Sequence, residues 1–157
     1  MKTMMYQVVV VVLLLGALAF LEWSPARAEE MTCPTHTPVR VDIKPGSYPN
    51  RINLSSQGVV PVAVLTTPDF DASQFTPEMA HLTDANSTMT QDCMGALAVR
   101  WVLDDVNRDG RPDLVFFFNT QDLDLSASST AASLMAHGTY GSTTLHIMGT
   151  DSIKIGP

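Results

Sequence analysis

Between Val39 and Ile155 the apolar residues come in short runs, each cut off within a few residues by Gly, Pro, Asn or Asp. A long helix needs an apolar stripe recurring every three to four residues over several turns, and no such stripe is present here. Val39-Arg40-Val41-Asp42-Ile43 alternates apolar and polar, the period of a half-buried strand. Lys44-Pro45-Gly46-Ser47 and Tyr48-Pro49-Asn50 are turn chemistry. Val59 to Thr66 is β-branched and apolar, and Pro61 within it predicts a strand that starts at an edge or carries a bulge. Residues 67 to 95 are polar and irregular, with one short helical turn expected near Pro77 to Leu82. Ala96 to Leu103 alternates again, with Val99, Trp101 and Leu103 on one face, which assigns Trp101 to the core. Leu114 to Phe118 is fully apolar and reads as a central strand.

Ser133 to Thr139 and Thr143 to Met148 flank Tyr140-Gly141-Ser142, a hairpin signal. Ser126 to His137 admits a short helix or a loop entering a strand, and its Ser and Thr content favours the loop. Ser152 to Ile155 closes the chain. Seven or so short strands predict a mainly β fold, an antiparallel β-sandwich that is Ig-like in broad architecture. It would occupy residues 39–157, after a lead-in at 29–38.

The first residues carry a different message. Lys2 is basic, Val8 to Leu21 is an unbroken run of fourteen apolar or small residues, and Ala26-Arg27-Ala28 ends the polar stretch that follows. That is the order of an export signal, with cleavage expected after Ala28. Fourteen residues rise about 21 Å as a helix. The hydrocarbon core is roughly 30 Å thick, so an uncleaved membrane anchor is disfavoured. A secreted or periplasmic protein without stable membrane insertion is expected. Its two cysteines, Cys33 and Cys93, are then an even pair in an oxidising compartment. A disulfide between them is favoured over two free thiols. The chain has 9 Lys+Arg against 16 Asp+Glu, a net charge of -7. That balance argues against nucleic acid as a partner, because tracking phosphates takes clustered basic residues.

One motif has chemistry in it. Residues 105 to 114 read Asp-Val-Asn-Arg-Asp-Gly-Arg-Pro-Asp-Leu. Asp105, Asn107, Asp109 and Asp113 bring oxygens at alternate positions, the Arg111 carbonyl can add one more, and Gly110 permits a sharp turn. Calcium takes six to eight such oxygens. The bidentate glutamate of an EF-hand is replaced by Phe116, so further ligands would be water or Asp104, Asp122 or Asp124. Two other readings stay open: a polar turn in which Asp and Asn bond their own backbone, and another metal. Calcium is favoured because three carboxylates this close repel one another without a counterion.

Other constellations are weaker. His137 and His146 lie on the two arms of the expected hairpin and can meet across it, but two histidines do not close a zinc site. No G-x-S-x-G context supports a hydrolase. Trp101, Tyr48 and Tyr140 are the candidates for a sugar-stacking platform.

Val41-Asp42-Ile43-Lys44-Pro45-Gly46-Ser47-Tyr48-Pro49-Asn50-Arg51-Ile52-Asn53 resembles the opening of a recurrent module of exported bacterial proteins. Gly58 to Thr67, Phe70-Asp71-Ala72, the Asp105-to-Leu114 loop, Phe118 to Gln121 and Gly149 to Ile155 fit the same pattern, so the resemblance covers residues 39 to 156. The acidic loop alone is also similar to the calcium loops of dockerin, thrombospondin and integrin-propeller repeats. The resemblance implies a part appended to secreted or surface proteins rather than an enzyme. The expectation is a non-enzymatic, calcium-stabilised module with a structural or binding role. The alternative is a module that binds carbohydrate or extracellular matrix, with a glycan or a protein as its ligand; a small secreted hydrolase ranks last.

Overall fold

The computed structural model describes residues 35–87 and 95–156. The expected export signal and the expected Cys33–Cys93 disulfide lie outside the described residues. Among the described residues there are ten strands: β1 Thr37–Pro38, β2 Val41–Ile43, β3 Arg51–Ile52, β4 Val59–Val64, β5 Phe75–Asp84, β6 Ala96–Asp104, β7 Asp113–Asn119, β8 Ala131–Tyr140, β9 Thr143–Ser152 and β10 Lys154–Ile155. Two short 3₁₀ turns, Ala72–Gln74 and Thr120–Asp122, are the helical content among the described residues. None is long and apolar enough to cross a membrane.

Eight strands form one sheet in the order β1-β9-β8-β5-β6-β7-β4-β2, and β10 pairs with β3 beside it. The sheet curls until its margins share one run of chain. Val39 N donates to Met148 O on the β9 side, and Leu65 N donates to Arg40 O on the β4 side. The β1–β9 and β10–β3 pairs are parallel, so the arrangement is mixed rather than wholly antiparallel. The opening and closing stretches are tied together by side chains. Asp151 Oδ2 accepts from Ile43 N at 2.9 Å and from Asn50 Nδ2 at 2.8 Å.

Alternation decides which side chains meet inside the curl. Ile43, Val62, Leu82, Leu114, Phe116, Phe118, Leu134 and Ile147 are all buried in one core. Each such side chain contributes about 1.5–3 kcal/mol relative to exposure. The strands expected at Ala96–Leu103 and Leu114–Phe118 are present, as is the hairpin through Gly141, and the strand expected at Val39–Ile43 is present over Val41–Ile43. Ala131 starts a strand, not a helix.

The expected helical turn is absent. The segment 67–95 holds no helical turn at Pro77–Leu82; it contains the ten-residue strand β5, paired along its length with β8. A bulge between Pro77 and Met79 puts Phe75, Ala80 and Leu82 inward, and the five-residue gap hides the two-residue period. β4 lies between β2 and β7, but β2 pairs only with Val62 to Val64, so β4 starts at an edge as Pro61 predicts. Pro61 is tolerated because its carbonyl accepts from Lys44 N, so its ring nitrogen faces the side where β2 has already ended.

Candidate functional site

β6 ends at Asp104 and β7 begins at Asp113, which makes the acidic motif the hairpin between them. Arg108 and Gly110 adopt left-handed conformations, with φ of 60° and 86°. The two reversals wind the loop into a coil and turn its polar side chains back onto its own amides. Asp105 accepts from Asp109 N at 3.0 Å through Oδ1 and from Gly110 N at 2.9 Å through Oδ2. Asn107 Oδ1 accepts from Asp109 N at 2.9 Å, and Asp109 Oδ1 accepts from Arg111 N at 2.9 Å. The Arg111 guanidinium lies 2.9 Å from Asp109 Oδ2. Hydrogen bonds from the Arg111 side chain, then from its amide, hold the Asp109 carboxyl below the usual carboxylate range.

Asp113 behaves differently from the rest of the motif. It is completely buried, and its oxygens accept from Thr66 N at 2.8 Å and Val106 N at 3.2 Å. Thr66 Oγ1 donates to Pro112 O at 2.6 Å and accepts from Ala72 N. Asp113 therefore staples the loop to the end of β4. Asp104 stands directly across from it in the β6–β7 ladder. Like charges so placed repel. Burial, then Asp151 and Asp113, push the nearby Asp42 carboxyl up.

These are hard oxygen donors, and an oxygen engaged in one hydrogen bond keeps a second lone pair. Their chemistry fits calcium. Among the described residues no three His, Cys, Asp or Glu side chains stand as a finished metal cage. A cation would have to draw Asp109 from Arg111. Of the expected outside ligands, Asp104 is adjacent to the loop. Asp122 is not: it accepts from Asn119 Nδ2 in the turn at the opposite end of β7. Asp124 follows that turn and lines a cavity with Asp84 and Ser126, away from the loop.

A second feature is a cleft. β5 and β6 pair only at His81–Leu97 and Leu82–Ala96 and then diverge, each past its own bulge. The gap, about 250 Å³, is lined by Glu78, Met79, Val99, Arg100, Trp101 and Phe116. Trp101 shares a ladder position with the buried Phe116, so it faces inward as its alternation predicts. It is nevertheless 45% exposed, and Leu103 is 47% exposed, because β5 has left that side uncovered. Trp101 is thus a cleft residue, not a core residue.

The two tyrosines part company from it. Tyr140 stacks on Phe70 at 5.3 Å, and its hydroxyl accepts from Asp71 N. Tyr48 is 96% exposed and is not among the residues lining the cleft. His137 and His146 do meet across the hairpin, with ring centroids 5.7 Å apart. His36 and His81 join them, which spacing along the chain did not reveal. Comparison with known protein families, curated proteins and solved structures finds no match for this chain.

Proposed function

We propose that this chain is an exported, non-enzymatic β module, a two-layer sandwich of Ig-like kind, whose Asp105–Asp113 loop takes calcium for structural support. The supporting observation is the unbalanced charge where the loop meets the sheet: Asp113 buried, Asp104 across the ladder from it, and Asp42 close enough to be perturbed. Calcium would bind Asp105, Asn107, Asp109, the Arg111 carbonyl and Asp113, with Asp104 and water as further ligands. The resemblance of residues 39 to 156 to a module of exported bacterial proteins favours the same reading.

A ligand that binds only the folded state stabilises by RT ln(1 + [L]/Kd). Extracellular calcium modules have Kd values of about 0.1–1 mM, so about 1 mM calcium contributes about 0.4–1.4 kcal/mol. Thermal unfolding in 10 mM calcium and in excess chelator, at matched ionic strength, tests this. A rise of a few degrees with calcium is expected, and equal melting temperatures would leave a self-bonded polar turn.

Trp101 favours a second reading, in which the cleft between β5 and β6 holds a sugar ring stacked on the indole, flanked by Glu78 and Arg100. Glycan-array binding that disappears in Trp101→Ala supports that role, and binding unchanged by the substitution removes it.

A further inference from the structure

The outer face of β5, β8 and β9 gathers side chains of one chemical kind. The protein has four histidines, and all four, His36, His81, His137 and His146, line one shallow cavity of about 290 Å³ together with Met79 and Met135. Strand register explains the gathering. Met79 pairs with His137 and His137 with His146, which places them in one row across three strands. His81 pairs with Met135 and Met135 with Met148, which makes a second row beside the first. The parallel β1–β9 pairing carries His36 to the end of the first row, where its ring meets that of His146 edge-on at 6.0 Å. The three methionines among the described residues are therefore all on this face. No Lys or Arg lines the cavity.

We propose that this face binds a single copper(I) ion, through the imidazoles of His137 and His146 and a thioether from Met79 or Met135. Thioethers select soft ions, imidazole suits borderline ones, and copper is where the two preferences overlap. Residues directly opposite in an antiparallel ladder have Cβ atoms about 4.5–5.5 Å apart, close enough to share one ion. The neighbouring groups also suit the ring nitrogens to this role. Glu78 Oε2 lies 3.2 Å from His137 Nε2, a contact that favours the proton on that nitrogen and Nδ1 for the ion. His81 Nδ1 faces the Gly95 carbonyl at 3.4 Å and can only donate to it, which leaves Nε2 free as a reserve ligand. The stacked rings of His137 and His146 must turn about their side-chain torsions to converge on the ion.

The test is competition for copper(I) between the full chain, with Cys33 and Cys93 alkylated, and a coloured copper(I) chelator under anaerobic reducing conditions. One equivalent withdrawn from the chelator is expected, with X-ray absorption showing both nitrogen and sulfur neighbours. His137→Asn with His146→Asn should lower the affinity by more than about a hundredfold, beyond the usual effect of an outer-shell change. Glu78→Gln should lower it by about tenfold. Met79→Leu with Met135→Leu should weaken copper(I) and leave zinc(II) unchanged. All of these side chains lie on the outer face, and metal-free melting of each variant reports whether its fold survives. The proposal is overturned if no copper is withdrawn, if folded wild type and the double methionine variant hold copper equally, or if zinc(II) is held as tightly as copper(I).

Discussion

The acidic loop and the histidine–methionine face are built in opposite ways. The loop's oxygens all come from one short stretch, Asp105 to Asp113, and its geometry is made by its own backbone reversals at Arg108 and Gly110. The face draws on β5, β8, β9 and the residue leading into β1, from His36 to Met148. The first is a local object and the second exists only through register. The difference teaches what each can survive: a slip of one residue in β8 would turn His137 inward and erase the face. The loop would keep its internal bonds.

The sharpest way to break this contrast is at Asp113, where the local loop is fastened to the distant β4. Asp113→Ala leaves Thr66 N and Val106 N without their acceptor inside the protein. A loss of about 2–4 kcal/mol in urea unfolding is expected, with or without calcium. A loss seen only in calcium would mean that Asp113 serves as a ligand without fastening the loop to β4.

Gly138→Ala probes the other side. An added Cβ would fall against the Thr76 carbonyl oxygen and Pro77 Cα, where β5 bulges beside His137. Destabilisation of about 1–3 kcal/mol is expected, as for overpacking elsewhere. Capture of copper(I) should fall, while the calcium-dependent shift of melting persists. Equal loss of both would show that the regions are coupled.

Asp109→Ala touches the loop alone. It should abolish the calcium-dependent stabilisation of about 0.4–1.4 kcal/mol and leave the metal-free protein little changed. Arg111→Ala frees the same carboxylate from its ion pair and should tighten calcium binding by roughly two- to fivefold, the range of an exposed pair. Calorimetric titration of the two variants separates these outcomes.

The smallest expected effect is a pH dependence. Burial, Asp151 and Asp113 raise the Asp42 pKa above its ordinary 3.8. Its folded form therefore holds a proton that the unfolded form has released, and stability declines as pH rises from 3.8 through the folded value. Asp42→Asn removes that decline. Denaturant unfolding should find the variant slightly more stable than wild type at pH 7 and no more stable at pH 3. An equal difference at both pH values would point to a cause other than ionisation.

The local parts of the molecule were legible in advance. The period of Val39–Ile43, the apolar run Leu114–Phe118, the turn at Gly141 and the oxygen spacing of the acidic loop all act over a few residues. β5 was not legible, because a bulge after Pro77 breaks its alternation. Trp101 was half legible. Its inward face follows from alternation, but its exposure depends on where β5 diverges. The meeting of His137 with His146 could be read from the hairpin. The arrival of His36 and His81 could not, since it needs the parallel β1 pairing and the β5–β8 register.

The most direct test of two separate sites is an amide NMR titration of the cysteine-alkylated protein, first with calcium and then with copper(I). Calcium is expected to move the amides of Asp105 to Asp113 and of Thr66, and to leave His36, His81, His137 and His146 in place. Copper(I) is expected to move the histidine set and leave the loop. Loop amides unmoved by millimolar calcium, or one set of residues answering to both ions, would contradict it.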